Sequence, residues 1–466
     1  MAMETEQATR PADRGAAPAP IAPRSLRRPR ADSGPPTEPA DPRGVAGLAK
    51  AALSEVADGR LSRPPLTIRF WDGSELRAAP GSGVPAATVV FRDPRALMHL
   101  LRAPGQLGLA RAWVDGSLDV EGDLEVVLRT RSAFAGIHLT TADRARLGRA
   151  AVRALGARLL RPPPIPSIEA RLGGRRHWLA RDRAAVRHHY DVSNRFYRIV
   201  LGPTMVYSCA YFATPGDTLE AAQQRKLELI CRKLHLREGE RLLDIGCGWG
   251  SLIIHAAAHH GVRAVGVTLS EPQADLARER VRGAGLTDRV EIRVQDYRQI
   301  ADGPFDKIAS VGMYEHVGRA ELARYADIAS QLLRPGGLFL NHGITRLAPH
   351  APEPDPFISR YVFPDGELHP LADVVSVLQS AGLEVRDVES LREHYGLTLR
   401  RWVANLAAHR DDAVGEVGPQ RERVWRLYML GSALGFEAGE ISVHQVLAAR
   451  PGGPHDLPLS RAELLS

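Results

Sequence analysis

The stretch Leu243-Asp-Ile-Gly-Cys-Gly-Trp-Gly constrains the fold more than any other. It opens as an apolar run, breaks at Gly246, Gly248 and Gly250, and passes into the apolar-rich segment Ser251 to His259. Glycine has no Cβ, so such a turn adopts positive φ and brings backbone close to a ligand where a side chain would collide. A buried strand, a glycine turn and a helix in that order form the opening unit of a doubly wound parallel α/β sheet with a nucleotide-type ligand at the turn.

Spacing refines the ligand. The dinucleotide fingerprint places its glycines at one, three and six; here they stand at one, three and five, with Asp244 ahead of the first. In this the turn resembles that of methyltransferases using S-adenosylmethionine. Further strands are predicted at Ala264 to Thr268, Val290 to Val294, Lys307 to Val311 and Gly337 to Asn341, alternating with helical segments as a doubly wound domain requires. Ligands in such folds collect at the carboxyl ends of strands. The glycine turn, Thr268-Leu-Ser, Gln295-Asp-Tyr and Met313-Tyr-Glu-His therefore share one edge, and His342 follows the fifth strand onto it.

At 466 residues the chain exceeds one ordinary domain. Residues 1–50, rich in Ala, Pro and Arg, are too poor in large apolar side chains to offset ordering entropy and are expected to be disordered. They lack the apolar centre of a signal peptide. No run approaches the ~20 apolar residues of a membrane span, so membrane contact is expected to be peripheral. Cys209, Cys231 and Cys247 are too few and too scattered for a disulfide framework or a zinc site, and no metal is assigned. A reducing cytoplasm fits this usage. The net charge of +7 favours an anionic partner. No aromatic-basic stacking platform or zinc-finger spacing accompanies it, which argues against nucleic acid.

Residues 51–142 read as a small α+β unit for binding or assembly. Leu66-Thr-Ile-Arg-Phe-Trp before Asp72-Gly73 predicts a hairpin, Ala87 to Phe91 a strand, and Pro94 to Leu101 and Ala110 to Arg129 helices. Residues 143–180 read as a basic helix and a Pro-rich linker. Leu147, Val152, Leu155 and Leu159 fall near one helical face, with Arg144, Arg149, Arg153 and Arg158 elsewhere. Such a helix either lies on anionic headgroups or packs on a neighbouring domain. The catalytic unit is expected over residues 181–450, with a tail at 451–466.

Five motifs carry a family resemblance. His188-His-Tyr-Asp-Val-Ser-Asn through Tyr207-Ser-Cys-Ala-Tyr-Phe, the glycine turn, Gln295-Asp-Tyr-Arg, Ser310-Val-Gly-Met-Tyr-Glu-His-Val-Gly and Tyr361-Val-Phe-Pro-Asp-Gly resemble cyclopropane-fatty-acyl-phospholipid synthases from about His188 to Arg450. Leu107-Gly-Leu-Ala-Arg-Ala-Trp-Val-Asp-Gly resembles the amino-terminal domain of the longer, bacterial-type members. The resemblance implies a Rossmann-like class I methyltransferase domain after a small α+β domain. Its implied reaction is methyl transfer from S-adenosylmethionine to the cis double bond of an unsaturated phospholipid acyl chain, at the inner face of the cell membrane.

An alkene is a weak nucleophile, so the sulfonium methyl must be held against its π face in a dry slot. The resulting carbocation suits aromatic faces, which gives Tyr211, Phe212, Tyr314 and Phe363 a role beside plain packing. The family removes the proton with bound bicarbonate. Carried over by motif, its contacts are Cys209, Glu315, His342, the backbone N–H of Ile344, and Tyr395. The cofactor falls to Tyr207, Ser208, Asp244, Gly246, Cys247, Gly248, Trp249, Gly250, Thr268, Leu269, Ser270, Gln273, Asp296, Tyr297 and Val311. The family's once-proposed active-site cysteine aligns with Ser432, so covalent chemistry there is excluded. The same cation has two outcomes: ring closure, or a hydride shift leaving a methylene branch for a reductase partner. A silent lipid-binding scaffold is a third reading, opposed by retention of the bicarbonate set. The resemblance also suggests a homodimer.

Overall fold

The computed structural model describes residues 44–55, 64–78, 87–130, 140–174, 176–190, 192–347 and 356–465. Asp41 to Ser466 form one compact unit. Its smaller sheet, in the order β2-β1-β3-β4, consists of β1 (Thr67–Arg69), β2 (Glu75–Leu76), β3 (Thr88–Phe91) and β4 (Leu118–Glu121). The predicted hairpin forms β1 and β2, with Gly73 at φ 80° in the turn. The helix expected across Ala110 to Arg129 is instead two, Gln106–Val114 and Leu124–Arg129, separated by β4. Gly116 (φ 78°) and Gly122 (φ 94°) break it on either side of the alternating Leu118-Asp-Val-Glu.

Part of the stretch read as disordered is a helix, Val45–Ser54. Hairpin side chains cap it: Val45 N–H donates to Asp72 Oδ2 at 2.7 Å and Ala46 N–H to Ser74 Oγ at 2.9 Å. Those acceptors lie far along the chain, where composition cannot find them. Residues 1–43 of that stretch lie outside the described residues. The basic helix runs over Thr141–Leu155, closed by a Thr140–Asp143 capping box. Only part of its predicted apolar face is packed. Leu155 is buried, whereas Val152 is 54% and the following Leu160 84% exposed, and Arg144, Arg149, Arg153 and Arg158 face solvent. It packs against Val45–Ser54.

The larger sheet contains β5 (Arg241–Ile245), β6 (Arg263–Thr268), β7 (Val290–Val294), β8 (Phe305–Val311), β9 (Leu333–Arg346), β10 (His369–Pro370), β11 (Glu384–Ser390) and β12 (Ile441–Ala449). Its order is β11-β12-β9-β8-β5-β6-β7, with β10 paired to β9. β5 to β9 run parallel, and β12 is antiparallel to both β9 and β11. The fifth predicted strand continues past Asn341 because β12 pairs along it from Leu338 to Arg346. His342 and Ile344 therefore sit inside a paired strand, not beyond its end. Strand order reverses between β5 and β8, which opens a crevice above their carboxyl ends.

A helical layer from Arg392–Ala408 and Arg410–Glu437 covers one side of β9 and β12. Its core includes Trp402, Trp425, Phe196 and Tyr197, and also Ala110, Trp113 and Leu124 from the small unit. Trp113 Nε1 donates to the Arg423 carbonyl at 2.9 Å, Arg423 Nε donates back to the Trp113 carbonyl at 2.5 Å, and the guanidinium lies 4.1 Å from the ring centroid.

Candidate active site

A cavity opens at the β5/β8 reversal. Gly246, Gly248 and Gly250 have φ of 86°, 53° and 77°, and the N–H groups of Gly246 and Cys247 both donate to the Val267 carbonyl at 3.0 Å, fastening the turn to β6. A Cβ on Gly246 would stand 3.0 Å from Met313 Cγ. The cavity is lined by Tyr207, Ser208, Asp244, Gly246, Cys247, Gly248, Trp249, Thr268, Leu269, Gln273, Asp296, Tyr297 and Val311. Gly250 and Ser270, also expected at the cofactor, lie outside this lining. Gly250 opens the helix Ser251–His260 against Ala277 and Ile254, and Ser270 caps the helix Glu271–Gly283.

Several lining groups are already oriented. Thr268 Oγ1 donates to Gln273 Oε1 at 2.9 Å, and Trp249 Nε1 to Asn194 Oδ1 at 2.8 Å. Asp296 holds Arg298 through both oxygens at 2.8 Å, and that guanidinium also reaches Asp182. Asp244, next to last in β5, is fully enclosed, its Oδ1 without a hydrogen-bond partner among the described residues. Burial pushes its carboxyl up to about 7, against the pull of Lys226. Lys226, itself lowered to about 8 by burial, donates to Ser208 Oγ at 2.9 Å.

A carboxyl raised from 3.8 to about 7 contributes stability that is complete below the unfolded value and lost as pH rises through the folded one. Relative to Asp244→Asn, the ligand-free protein is expected to lose Tm steadily between about pH 4 and 7. A wild-type-minus-variant difference that stays constant over this window would contradict it.

A second cluster sits beside the cavity. Ile344 N–H donates to Glu315 Oε1 at 2.7 Å, and Glu315 lies in the turn Tyr314–His316 after β8. Glu315 Oε2 and His342 Nε2 are buried without a hydrogen-bond partner among the described residues. Burial raises the Glu315 carboxyl to about 7, offset by the Ile344 N–H. Burial also drives His342 well below its usual range, so the ring is neutral. Gln445 Nε2 meets its Nδ1 at 3.2 Å, and with Gln445 donating, the ring proton sits on Nε2. Tyr395 is buried with its ring centroid 4.7 Å from that of Phe436; burial raises its hydroxyl, and Tyr428, Cys209, Glu315 and Tyr190 add to the rise. The Cys209 thiol is fully enclosed, donates to the carbonyls of Ala210 at 3.2 Å and Leu391 at 3.6 Å, and is pushed up by burial. It is no nucleophile.

The aromatic residues singled out from sequence stand apart from the donor cavity. None of Tyr211, Phe212, Tyr314 and Phe363 lines the cavity. Tyr211 stacks on His394 with centroids 4.7 Å apart, Phe212 is core, and Phe363 packs 4.0 Å from His189. Tyr314 lies against Gly343, with its hydroxyl donating to the Ile344 carbonyl at 2.5 Å. The aromatic walls are Tyr190, Tyr207, Trp249, Tyr297 and His316. Sequence reading also misses Lys226 and Gln445. For Gln445 a signal exists: one amide in the apolar run Val443 to Ala449.

The sheet order, the glycine turn at its reversal and the cavity above it define a class I S-adenosylmethionine-dependent methyltransferase. The family described as mycolic acid cyclopropane synthetase matches residues 177–446, and the chain belongs to that family. A domain of unknown function matches residues 59–140. A probable fatty acid methyltransferase of Pseudomonas putida is 41% identical over 86% of this chain and 96% of its own. The cyclopropane-fatty-acyl-phospholipid synthase of Escherichia coli K12 is 37% identical over 57% of this chain and 67% of its own. A mycolic acid cyclopropane synthase solved with SAH and CTAB is 34% identical, with TM-score 0.55, over 57% of this chain and 98% of that one.

Proposed function

We propose that the protein transfers a methyl group from S-adenosylmethionine to the cis double bond of an unsaturated phospholipid acyl chain, with proton loss closing a cyclopropane ring. The carrying observation is the pair of orphaned buried atoms, His342 Nε2 and Glu315 Oε2. A neutral imidazole N–H and the Tyr395 hydroxyl are donors suited to anionic oxygens, and a Glu315 carboxylate suits a hydroxyl. That complement fits bicarbonate, which when bound supplies a base too weakly nucleophilic to trap a carbocation.

The chain's own groups do the rest. The glycine turn lets the donor approach closely, and Thr268 with Gln273 offers polar atoms for its ribose. Tyr190 and Tyr207 line the cavity, where their rings suit positive charge. His316, held down to about 4 by burial, stays neutral and does not repel that charge. Glu315 holds or releases a proton at Oε2 near neutral pH.

The exposed Val152 and Leu160 beside Arg149, Arg153 and Arg158 suit an anionic lipid face. No described helix is long and apolar enough to cross a membrane. Two copies on one vesicle would gain avidity, in keeping with a homodimer. A second reading is a methylene-branched product passed to a reductase, and the P. putida relative, named a probable fatty acid methyltransferase and aligned over nearly its whole length, is compatible with either product.

Protein incubated with methyl-labelled donor and vesicles of unsaturated phospholipid is expected to label the lipid. Turnover should collapse in carbon-dioxide-free buffer and return on adding bicarbonate. Unlabelled lipid sinks both readings, and turnover indifferent to bicarbonate sinks the assigned base. Mass spectrometry of the product separates ring from branch.

A further inference from the structure

Behind the donor cavity, the helices Leu219–Lys233 and Ser251–His260 pack together. Across their contact, Cys231, His255 and His260 each bring one ligand-type atom within 4.8 Å of the others. Glu228, one turn before Cys231, sets its Oε2 3.1 Å from Nε2 of both histidines. We propose that this cluster is a structural zinc(II) site, with the Cys231 thiolate and the His255 and His260 imidazoles as ligands and the Glu228 carboxylate as the fourth.

Zn–N bonds of about 2.0–2.1 Å and Zn–S of about 2.3 Å give tetrahedral edges of roughly 3.3–3.6 Å, so an edge at the 4.8 Å limit contracts by about 1.2–1.5 Å when the ion binds. Thiolate with two imidazoles selects a borderline-soft cation over magnesium or calcium. Hydrogen bonding joins Glu228 to the two histidines, and Cys231, enclosed in the apolar core with Leu227 and Ile230, brings a soft sulfur beside them. The part-exposed His260 gives a route in. Counting cysteines alone finds no metal. The signal lies in Glu228-x-x-Cys231 facing His255-x-x-x-His-His260.

The site lies outside the methyl-transfer machinery and bears on it through the two helices. Leu219–Lys233 presents Gln223 to the Ser208 carbonyl and Lys226 to its hydroxyl, both at 2.9 Å, and Ser251–His260 directly follows the glycine turn. A metal clamp would fix both walls of the cavity.

The test uses full-length protein stripped with chelator and titrated with cobalt(II). About one equivalent is expected to produce tetrahedral d–d bands and a thiolate-to-cobalt charge-transfer band, both displaced by zinc(II), and Tm should rise with zinc and not with magnesium. Cys231→Ser should lose the charge-transfer band. His260→Gln, a part-exposed change that leaves the core intact, should weaken cobalt binding about tenfold or more. If Cys231→Ser fails to fold, His260→Gln decides. Absent bands in the wild type, or bands unchanged in His260→Gln, overturn the proposal.

Discussion

Glu315→Gln is expected to lower methyl transfer about 10³-fold while leaving donor affinity nearly unchanged. The glutamine keeps an oxygen for the Ile344 N–H, so the loop after β8 stays anchored as Glu315 Oε1 anchors it at 2.7 Å. What changes is the other atom. Oε2, buried and unpartnered, becomes an amide that neither accepts nor releases a proton. The wild-type rate should follow an ionisation near 7, where burial has raised this carboxyl, and the residual rate of the variant should not. Calorimetric titration with donor and single-turnover kinetics separate the two effects. Parallel loss of donor binding would contradict the assigned role.

Gly343→Ala is expected to destabilise the fold by about 3 kcal/mol or more, at the upper end for overpacking. An added Cβ would lie 1.8 Å from Tyr314 Cε1, with the Cδ1 atom 2.3 Å away. Neither side yields easily. β9 is paired to β8 and β12 on either flank, and Tyr314 is 1% exposed with its hydroxyl on the Ile344 carbonyl. Urea unfolding should show the loss, and adding Tyr314→Leu to Gly343→Ala should restore part of it. A neutral Gly343→Ala, or a double variant worse than the sum of its parts, would refute the steric account.

The glycine turn and five parallel strands were legible because their signals are local: an apolar run, a fixed glycine spacing, alternation with helices. β11 and β12 were not, since their place depends on pairing with a distant β9. The same non-local pairing misplaced His342 at a strand's end. Glu315, His342, Ile344 and Tyr395 were assigned through motif resemblance, as no spacing connects residues on a turn, a strand and a helix. The aromatic assignment rested on residue type and proximity in sequence, and it did not anticipate which rings line the donor cavity. Tyr314 adjoins Glu315 in the chain, yet its ring packs against Gly343 instead of lining the cavity.

The reciprocal bonds between Trp113 and Arg423 have a mechanical meaning. Arg423 shares a helix with Trp425 and Tyr428, and the Tyr428 hydroxyl accepts from Tyr207 at 3.3 Å on the cavity wall. A pull on the small sheet is thus transmitted along one stiff rod to the rim of the donor cavity. Whatever grips the amino-terminal unit has hold of a handle whose other end is the active-site wall.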